Sequence, residues 1–440
     1  MQTKTEYDVI IVGGRVSGSA LAARLGKYGF RVVMLERANF PSLPAVSSPI
    51  IYASTMQMLD EIGADESAYA HNTPRLHAMH TVNRGFEGSL PLPDYKGRNY
   101  AYAIDRARFD AALWDNALRY PTVDGYQGFS VMDLLWDGDR VVGVLGKHRD
   151  GVEAEFRAKV VIGADGRFGL VAQKVGAKTV DTHDEYPTSI YYAYWQGVAP
   201  LAEDGEKTAA AYEGDGKTYG FLVMDSADDQ TVVAVEGRAE VLNPEAGKVE
   251  TFYLEMLQSN PRLWQRMKNA ERVTTVRGMR NTSNRYHEAG GAGWMLVGDA
   301  YHQKDPLDGQ GIYNAVATGK VLAKTLRRWR DGELSWEQAI EEYDEGARVK
   351  TYAMYRRLQS QVQMSFYAGE TGLQIPGWMT QTMGRWLLQD PQFTELMGKT
   401  ITRQIPPDMA TLLTPPTMLG AMARGFLQDL NERFNPLAQK

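Results

Sequence analysis

The sequence predicts an α/β fold. Its core is a mostly parallel sheet covered by helices, interrupted by an inserted, mainly antiparallel sheet and followed by a helical C-terminal region. Three observations predict it. Residues 7–36 read as strand, glycine turn, helix and strand in immediate succession. Residues 129–163 alternate with the period of a half-buried strand, and residues 187–238 are strand-rich and aromatic. Beyond residue 336 the pattern is helical, with breaks at Pro376, Pro391 and Pro406-Pro407.

The elements follow in chain order. YDVIIV (7–12) is a short β-branched run suited to a buried parallel strand, and SALAARLGKYG (19–29) carries its apolar residues at helical spacing with Gly29 as cap. RVVMLE (31–36) is a second buried strand. Residues 50–63 and 105–119 read as helices, the latter with Phe109, Ala112, Leu113 and Leu118 on its apolar face. Asp137-Gly138 and Asp150-Gly151 mark strand–turn–strand steps, and Ala227–Asp229 suits a hairpin. A helix is expected over about 246–268, interrupted at Pro261, then strand at 272–280 and at 294–298. A further helix opens near Gly311.

With 440 residues the chain exceeds one ordinary core. The expected division is a first part at 1–75, an inserted-domain segment at 76–100, a second part at 101–180, the inserted sheet at 181–285, a third part at 286–335 and the helical region at 336–440.

Composition excludes several function classes. The net charge of −6 argues against a nucleic-acid partner, which ordinarily requires a basic surface. No apolar run is long enough to span a membrane, so no transmembrane segment is expected, and without a targeting segment the expected location is the cytoplasm. The absence of cysteine removes disulfides, thiolate metal sites and thiol nucleophiles. His77 and His80 would share a face only on a helix, and no metal site is expected.

The chemistry begins at Gly13-Gly14-Arg15-Val16-Ser17-Gly18. A dinucleotide fold needs glycine where the chain turns, where backbone approaches a pyrophosphate and where helix packs on strand. Gly13 and Gly18 fill the first and third of these places; Arg15 stands in the second. Glu36, closing the next strand, is placed to accept bonds from a ribose 2′-hydroxyl, with Arg37 beside it, so the turn suits the adenosine of FAD or NAD.

Two further stretches are VVIGADGRFG (160–169) and WMLVGDAYHQKDPLDGQGIYNA (294–315). Together with the glycine turn, Asp165-Gly166 and Gly298-Asp299-Ala300, at intervals of roughly 150 and 130 residues, resemble flavoprotein monooxygenases of the para-hydroxybenzoate hydroxylase type. The resemblance covers most of residues 7–330. It implies FAD as cofactor and NADH or NADPH as transient reductant. It also implies monooxygenation through a flavin hydroperoxide, with O2 and a small apolar molecule as partners. A carboxylate closing a buried strand, as at Asp299, needs strong hydrogen bonds, and ribityl hydroxyls would supply them. Pro306, Gly309, Gln310, Gly311 and Ile312 would bring backbone and a helix N-terminus to the isoalloxazine. Arg106 matches an arginine that contacts the flavin's phosphate or ribityl side. The stretch 41–54 lacks the arginine common in relatives, so Arg15 becomes the candidate for offsetting phosphate charge.

The substrate side is read from aromatic strands. Alternation sends Tyr192 and Tyr194 to one face, opposite Tyr191 and Trp195, and Tyr192, Tyr194, Tyr219, Phe221 and Met224 are the candidate pocket residues. His302 and Lys304 lie in the loop expected to face the flavin, where either could touch substrate, but a capping or surface role is expected; no catalytic side chain is assigned. Eight of 19 methionines lie between Met354 and Met422, fitting helix packing, a lid or a homodimer contact. Rival readings are a flavin-dependent reductase of the geranylgeranyl type, a non-enzymatic FAD-binding protein and a flavin-dependent halogenase; the Trp-x-Trp-x-Ile-Pro sequence of the last is absent.

Overall fold

A computed structural model describes residues 6–44, 48–83, 86–282, 284–367, 377–405 and 415–434. Pro376 and Pro406-Pro407, expected breaks, lie outside the described residues. The expected α/β architecture is present, with two large sheets and a helical C-terminal region.

The first sheet runs, in spatial order, Trp294–Leu296, Glu153–Gly163, Tyr7–Val12, Val32–Glu36 and Val123–Gln127, and these five strands are parallel. Ile10 and Ile11 have no solvent exposure, as a strand covered on both faces requires. The helix Val16–Lys27 packs on this sheet, and the chain reverses at Gly29 with φ of 77°. There Phe30 N–H closes on the Leu25 carbonyl at 3.0 Å. The glycines of Asp137-Gly138 and Asp150-Gly151 take positive φ at two hairpin turns.

The second sheet orders Glu271–Arg272, Thr188–Gln196, Gln230–Arg238, Tyr219–Asp225, Ala209–Glu213, Ala78–Asn83 and Phe86–Pro91. All its neighbours are antiparallel except Ala209–Glu213 with Ala78–Asn83. Period-two alternation divides its core in two. Tyr191, Trp195, Phe221 and Val235 bury one face beneath the helices Val249–Gln258 and Pro261–Met267. Tyr192, Tyr194, Met224 and Ala234 bury the other, with Ile50 and Tyr52.

Two expectations change. Residues 50–63 are not one helix: Ile50–Ile51 pairs with Tyr102–Ala103 and the helix is Ala53–Asp60. Two β-branched residues before an aromatic favour extended backbone over a helical first turn. His77 and His80 fall at and in a strand rather than on a helix, so no shared face brings them together. No helix among the described residues is long and apolar enough to cross a membrane.

Candidate flavin and substrate site

The glycine turn is built by steric necessity. A Cβ on Gly13, whose φ is 101°, would stand 2.5 Å from the Ala164 carbonyl oxygen of the neighbouring strand. A Cβ on Gly18 would stand 1.9 Å from the Gly13 oxygen. Gly14 backs onto the ring of Trp114, and its N–H donates to Glu36 Oε2 at 2.8 Å. Glu36 also accepts from Ala38 N–H at 2.9 Å, so this buried carboxylate is fixed by backbone amides. Arg37 is exposed beside it.

Arg15 and Arg106 converge on one carboxylate. Arg106 Nε and Nη2 donate to Asp110 Oδ1 at 3.1 and 2.9 Å, and Arg15 Nη1 donates to Asp110 Oδ2 at 2.6 Å. Arg15 also reaches the Ser42 carbonyl at 2.9 Å, which ties the glycine turn to the loop after the second strand. Asp110 is wholly buried and one turn from Arg106, so two guanidinium charges face a single carboxylate. The Tyr192 hydroxyl lies in the same field. Burial pushes its pKa up, and Arg106, Arg277 and Arg15 oppose the rise. The i, i+4 spacing of Arg106 and Asp110 was the available sequence signal for this pair.

Asp165 accepts from Val171 N–H at 3.1 Å, while its Oδ1 is buried with no protein partner. Burial raises its pKa above the ordinary carboxylate value. Asp299 departs from expectation. Its side chain is 42% exposed rather than buried, and it pairs with Arg167 Nε at 3.3 Å. The strand ends at Leu296 and a short helical turn, Gly298–Ala300, carries the carboxylate outward. Gly298, at φ of 62°, lets this turn pack on the buried Ser17 side chain, which a Cβ would meet at 2.8 Å.

The loop after it is tightly held. Pro306–Asp308 forms a turn, Gly309 takes φ of 64°, and Gln310 caps the 20-residue helix Gly311–Arg330. Around Gly311 a Cβ would meet nothing within 4 Å, so this helix N-terminus is open, while Ile312 is buried. Gln310 Nε2 donates to the Ile401 carbonyl at 2.6 Å, joining the loop to the end of the C-terminal helix Pro391–Ile401.

The sequence reading missed the pairing of this loop's charges with Arg403 of the C-terminal region. Lys304 pairs with Asp308, which also takes Arg403 Nη2 at 2.9 Å, and all three side chains are at most 11% exposed. His302 is 2% exposed and stacks on Tyr286 at 4.0 Å, with neither ring nitrogen hydrogen-bonded. Burial, then the Lys304 charge, holds its pKa well below the ordinary histidine value. The expectation that His302 and Lys304 cap or lie at the surface is therefore corrected. Asp305, fully buried, accepts from Thr188 and Thr282 hydroxyls and from Leu307 N–H. It also faces Glu236, whose pKa is raised well above the carboxylate range by burial, then by the Asp305 charge. Burial and the Asp305 charge thus both favour the protonated form of Glu236.

Of the candidate substrate residues, Tyr192, Tyr194 and Met224 share this face, each at most 3% exposed. Tyr219 and Phe221 do not. They belong to the opposite phase of their strand and pack toward the Val249–Gln258 helix, where Tyr219 Oη meets Ser259 Oγ at 2.9 Å.

A glycine turn against a parallel sheet, a buried carboxylate at the end of the next strand and an open helix end at the third motif are the features of a dinucleotide-binding fold. The chain belongs to the FAD binding domain family, whose description matches residues 6–356, and is thereby a member of a flavin-dependent oxidoreductase family. It is similar to tryptophan 2-halogenase of Chondromyces crocatus, 27% identical over 353 residues, covering 78% of this chain and 65% of that protein. It is also similar to squalene epoxidase 2, mitochondrial, of Arabidopsis thaliana, 27% identical over 347 residues, covering 77% and 56%. The chain thus spans less than two thirds of the length of either relative. The solved structure of the flavin-dependent brominase Bmp2 superposes with a TM-score of 0.77 at 19% identity, covering 96% of this chain and all of that one.

Proposed function

We propose that this protein is an FAD-dependent monooxygenase, similar to the para-hydroxybenzoate hydroxylase type, acting on a small molecule with an aromatic or polyketide-like apolar body. NADH or NADPH and O2 would be its co-substrates. Overall, one C–H or C=C of the substrate gains an oxygen atom from O2, the other atom leaves as water, and NAD(P)H supplies the two electrons. The observation that carries the reading is the closed apolar face formed by Tyr192, Tyr194, Met224 and Ala234 beside the Pro306–Gly311 loop. Oxygen transfer to an organic acceptor needs a water-poor pocket at that position.

When bound, FAD supplies the electron transfer and oxygen activation that side chains cannot. The protein's residues bind, orient and exclude water. Gly13, Gly14, Ser17 and Gly18 would give close approach to the pyrophosphate, and Glu36 would take the ribose hydroxyls. Arg15 and Arg106, which share the Asp110 carboxylate, would offset the phosphate charge. Asp299 would hold the ribityl chain, and the helix N-terminus at Gly311 and Ile312 would stabilise negative charge on the ring.

A second reading, halogenation, is favoured by the halogenase and brominase among the similar proteins. The test is NAD(P)H oxidation and O2 uptake with a panel of phenols, polyketides and alkenes, in air and under argon, with and without chloride or bromide. Substrate-stimulated O2 uptake with an oxygenated product is expected in halide-free buffer. Product formed only with halide would replace the proposal by halogenation; reduction of a double bond under argon would replace it by reductase chemistry.

A further inference from the structure

Arg403 stands in a place that the backbone reserves for glycine. It follows the helix Pro391–Ile401, and its φ is 57°. Its N–H reaches the Thr400 carbonyl at 3.2 Å and the next N–H, Gln404, reaches the Lys399 carbonyl at 2.9 Å. This is the closure of a helix C-terminus through a left-handed residue, which is ordinarily glycine because a Cβ is penalised there. A bulky residue kept in such a conformation points to a use for its side chain.

The side chain turns inward. It is 3% exposed, Nη2 is on Asp308 at 2.9 Å, and Nε and Nη1 are buried with no protein acceptor. The same Asp308 carboxylate also serves Lys304, so two buried cations share one anion. Arg357 is a third cation in range: burial lowers its pKa, and the Arg403 charge lowers it further. The Tyr52 hydroxyl, also buried, feels both Asp308 and Arg403. Buried N–H donors on a charged group without an acceptor are costly, and the two on Arg403 call for an anion. Apolar surface adjoins the spot: Ile401 packs against the face that carries Tyr192, Tyr194 and Met224.

We propose that Arg403 is a specificity-determining residue that binds the carboxylate of an amphiphilic acid whose apolar body lies on the Tyr192–Tyr194 face. The inference rests on the reading of that face as the substrate site. Lys304 holds Asp308 in place, so Arg403 Nε and Nη1 stay free to donate to the incoming carboxylate. The anion site belongs to the C-terminal region and the oxidising site to the flavin loop, so the acid group and the reacting carbon are read by different parts of the chain.

The test uses the FAD-loaded full-length protein and the flavin absorption spectrum. It is titrated with trans-cinnamate and, separately, with cinnamamide, which keeps the body and removes the charge. Wild type is expected to bind the acid at least tenfold more tightly than the amide. Arg403→Gln should bring the two to parity and leave amide binding unchanged. Arg403→Gly, which the backbone accommodates without strain, should do the same and covers the case in which glutamine impairs folding. An equal affinity of wild type for acid and amide would overturn the proposal. So would an acid preference that survives in both variants. A spectral change caused by sodium chloride but not by sodium sulfate at equal ionic strength would assign the cations to a halide and equally overturn it. Substrate-stimulated O2 uptake is scored in parallel. Its loss with the acid preference intact would sink the monooxygenase reading alone.

Discussion

Arg15 Nη1 meets Asp110 Oδ2 at 2.6 Å, and through that carboxylate it is coupled to Arg106, 91 residues on in sequence. The glycine turn and the helix Arg106–Leu118 therefore present their positive charge as a unit, neutralised only in part. Arg15→Ala is expected to weaken FAD retention about tenfold, ~1.4 kcal/mol. Fluorescence titration of the apoprotein with FAD checks this, and unchanged affinity would remove Arg15 from the site. Asp110→Asn should lower the thermal midpoint as well, because it removes the buried carboxylate that both guanidinium groups share, at about 3 kcal/mol.

Gly18 lies inside a helix, where alanine ordinarily stabilises by about 1 kcal/mol. The opposite is expected here. A Cβ would stand 1.9 Å from the Gly13 carbonyl oxygen, so Gly18→Ala must push the turn off the sheet. The expected outcome is a protein purified without flavin and with a lowered melting temperature. A yellow, fully loaded Gly18→Ala protein would contradict it.

The Glu236–Asp305 pair gives a pH dependence of defined sign. The folded-state pKa of Glu236 is raised, so the native protein retains a proton that the unfolded chain has lost. Stability from this group is complete below the ordinary glutamate pKa of about 4.3 and falls as pH rises toward the folded value, by at most ~1.4 kcal/mol per pH unit. Glu236→Gln carries a permanent amide in place of the protonated acid and should flatten that decline. Urea denaturation of both proteins from about pH 5 to about pH 9 measures it; parallel curves would show that Glu236 is ionised in the native state.

The two faces of the second sheet separate experimentally. Tyr219→Phe removes an exposed hydroxyl contact with Ser259 on the helix-covered side and should change stability by less than about 0.5 kcal/mol and leave turnover unaltered. Tyr194→Phe acts on the buried face opposite and should alter KM for the organic substrate. Steady-state kinetics on both variants decide the assignment; a kinetic effect confined to Tyr219→Phe would reverse it.

The sequence made the dinucleotide turn legible because sterics leave few options there. A Cβ on Gly13 would meet the Ala164 carbonyl of the neighbouring strand and one on Gly18 the Gly13 carbonyl, so no other residue fits. The two-faced sheet was half legible. Alternation separates Tyr219 and Phe221 from Met224, but the phase alone does not say which set faces the flavin loop and which the covering helices. Asp299 misled, because a carboxylate after a buried strand implies burial only if the strand continues, and here a helical turn turns it outward. Arg403 was illegible. It sits 95 residues from Asp308, and nothing local in Ile401-Thr402-Arg403-Gln404 announces an inward turn.

The Gln310–Ile401 hydrogen bond has a thermodynamic corollary. The loop that ends at the open helix N-terminus is also a docking point for the Pro391–Ile401 helix, so flavin affinity and C-terminal docking are linked functions. Linkage is reciprocal: whatever free energy docking adds to flavin binding, flavin binding returns to docking. Cofactor occupancy and protection of the C-terminal helices from proteolysis should therefore rise and fall together. The C-terminal helices would then act as a reporter of the cofactor.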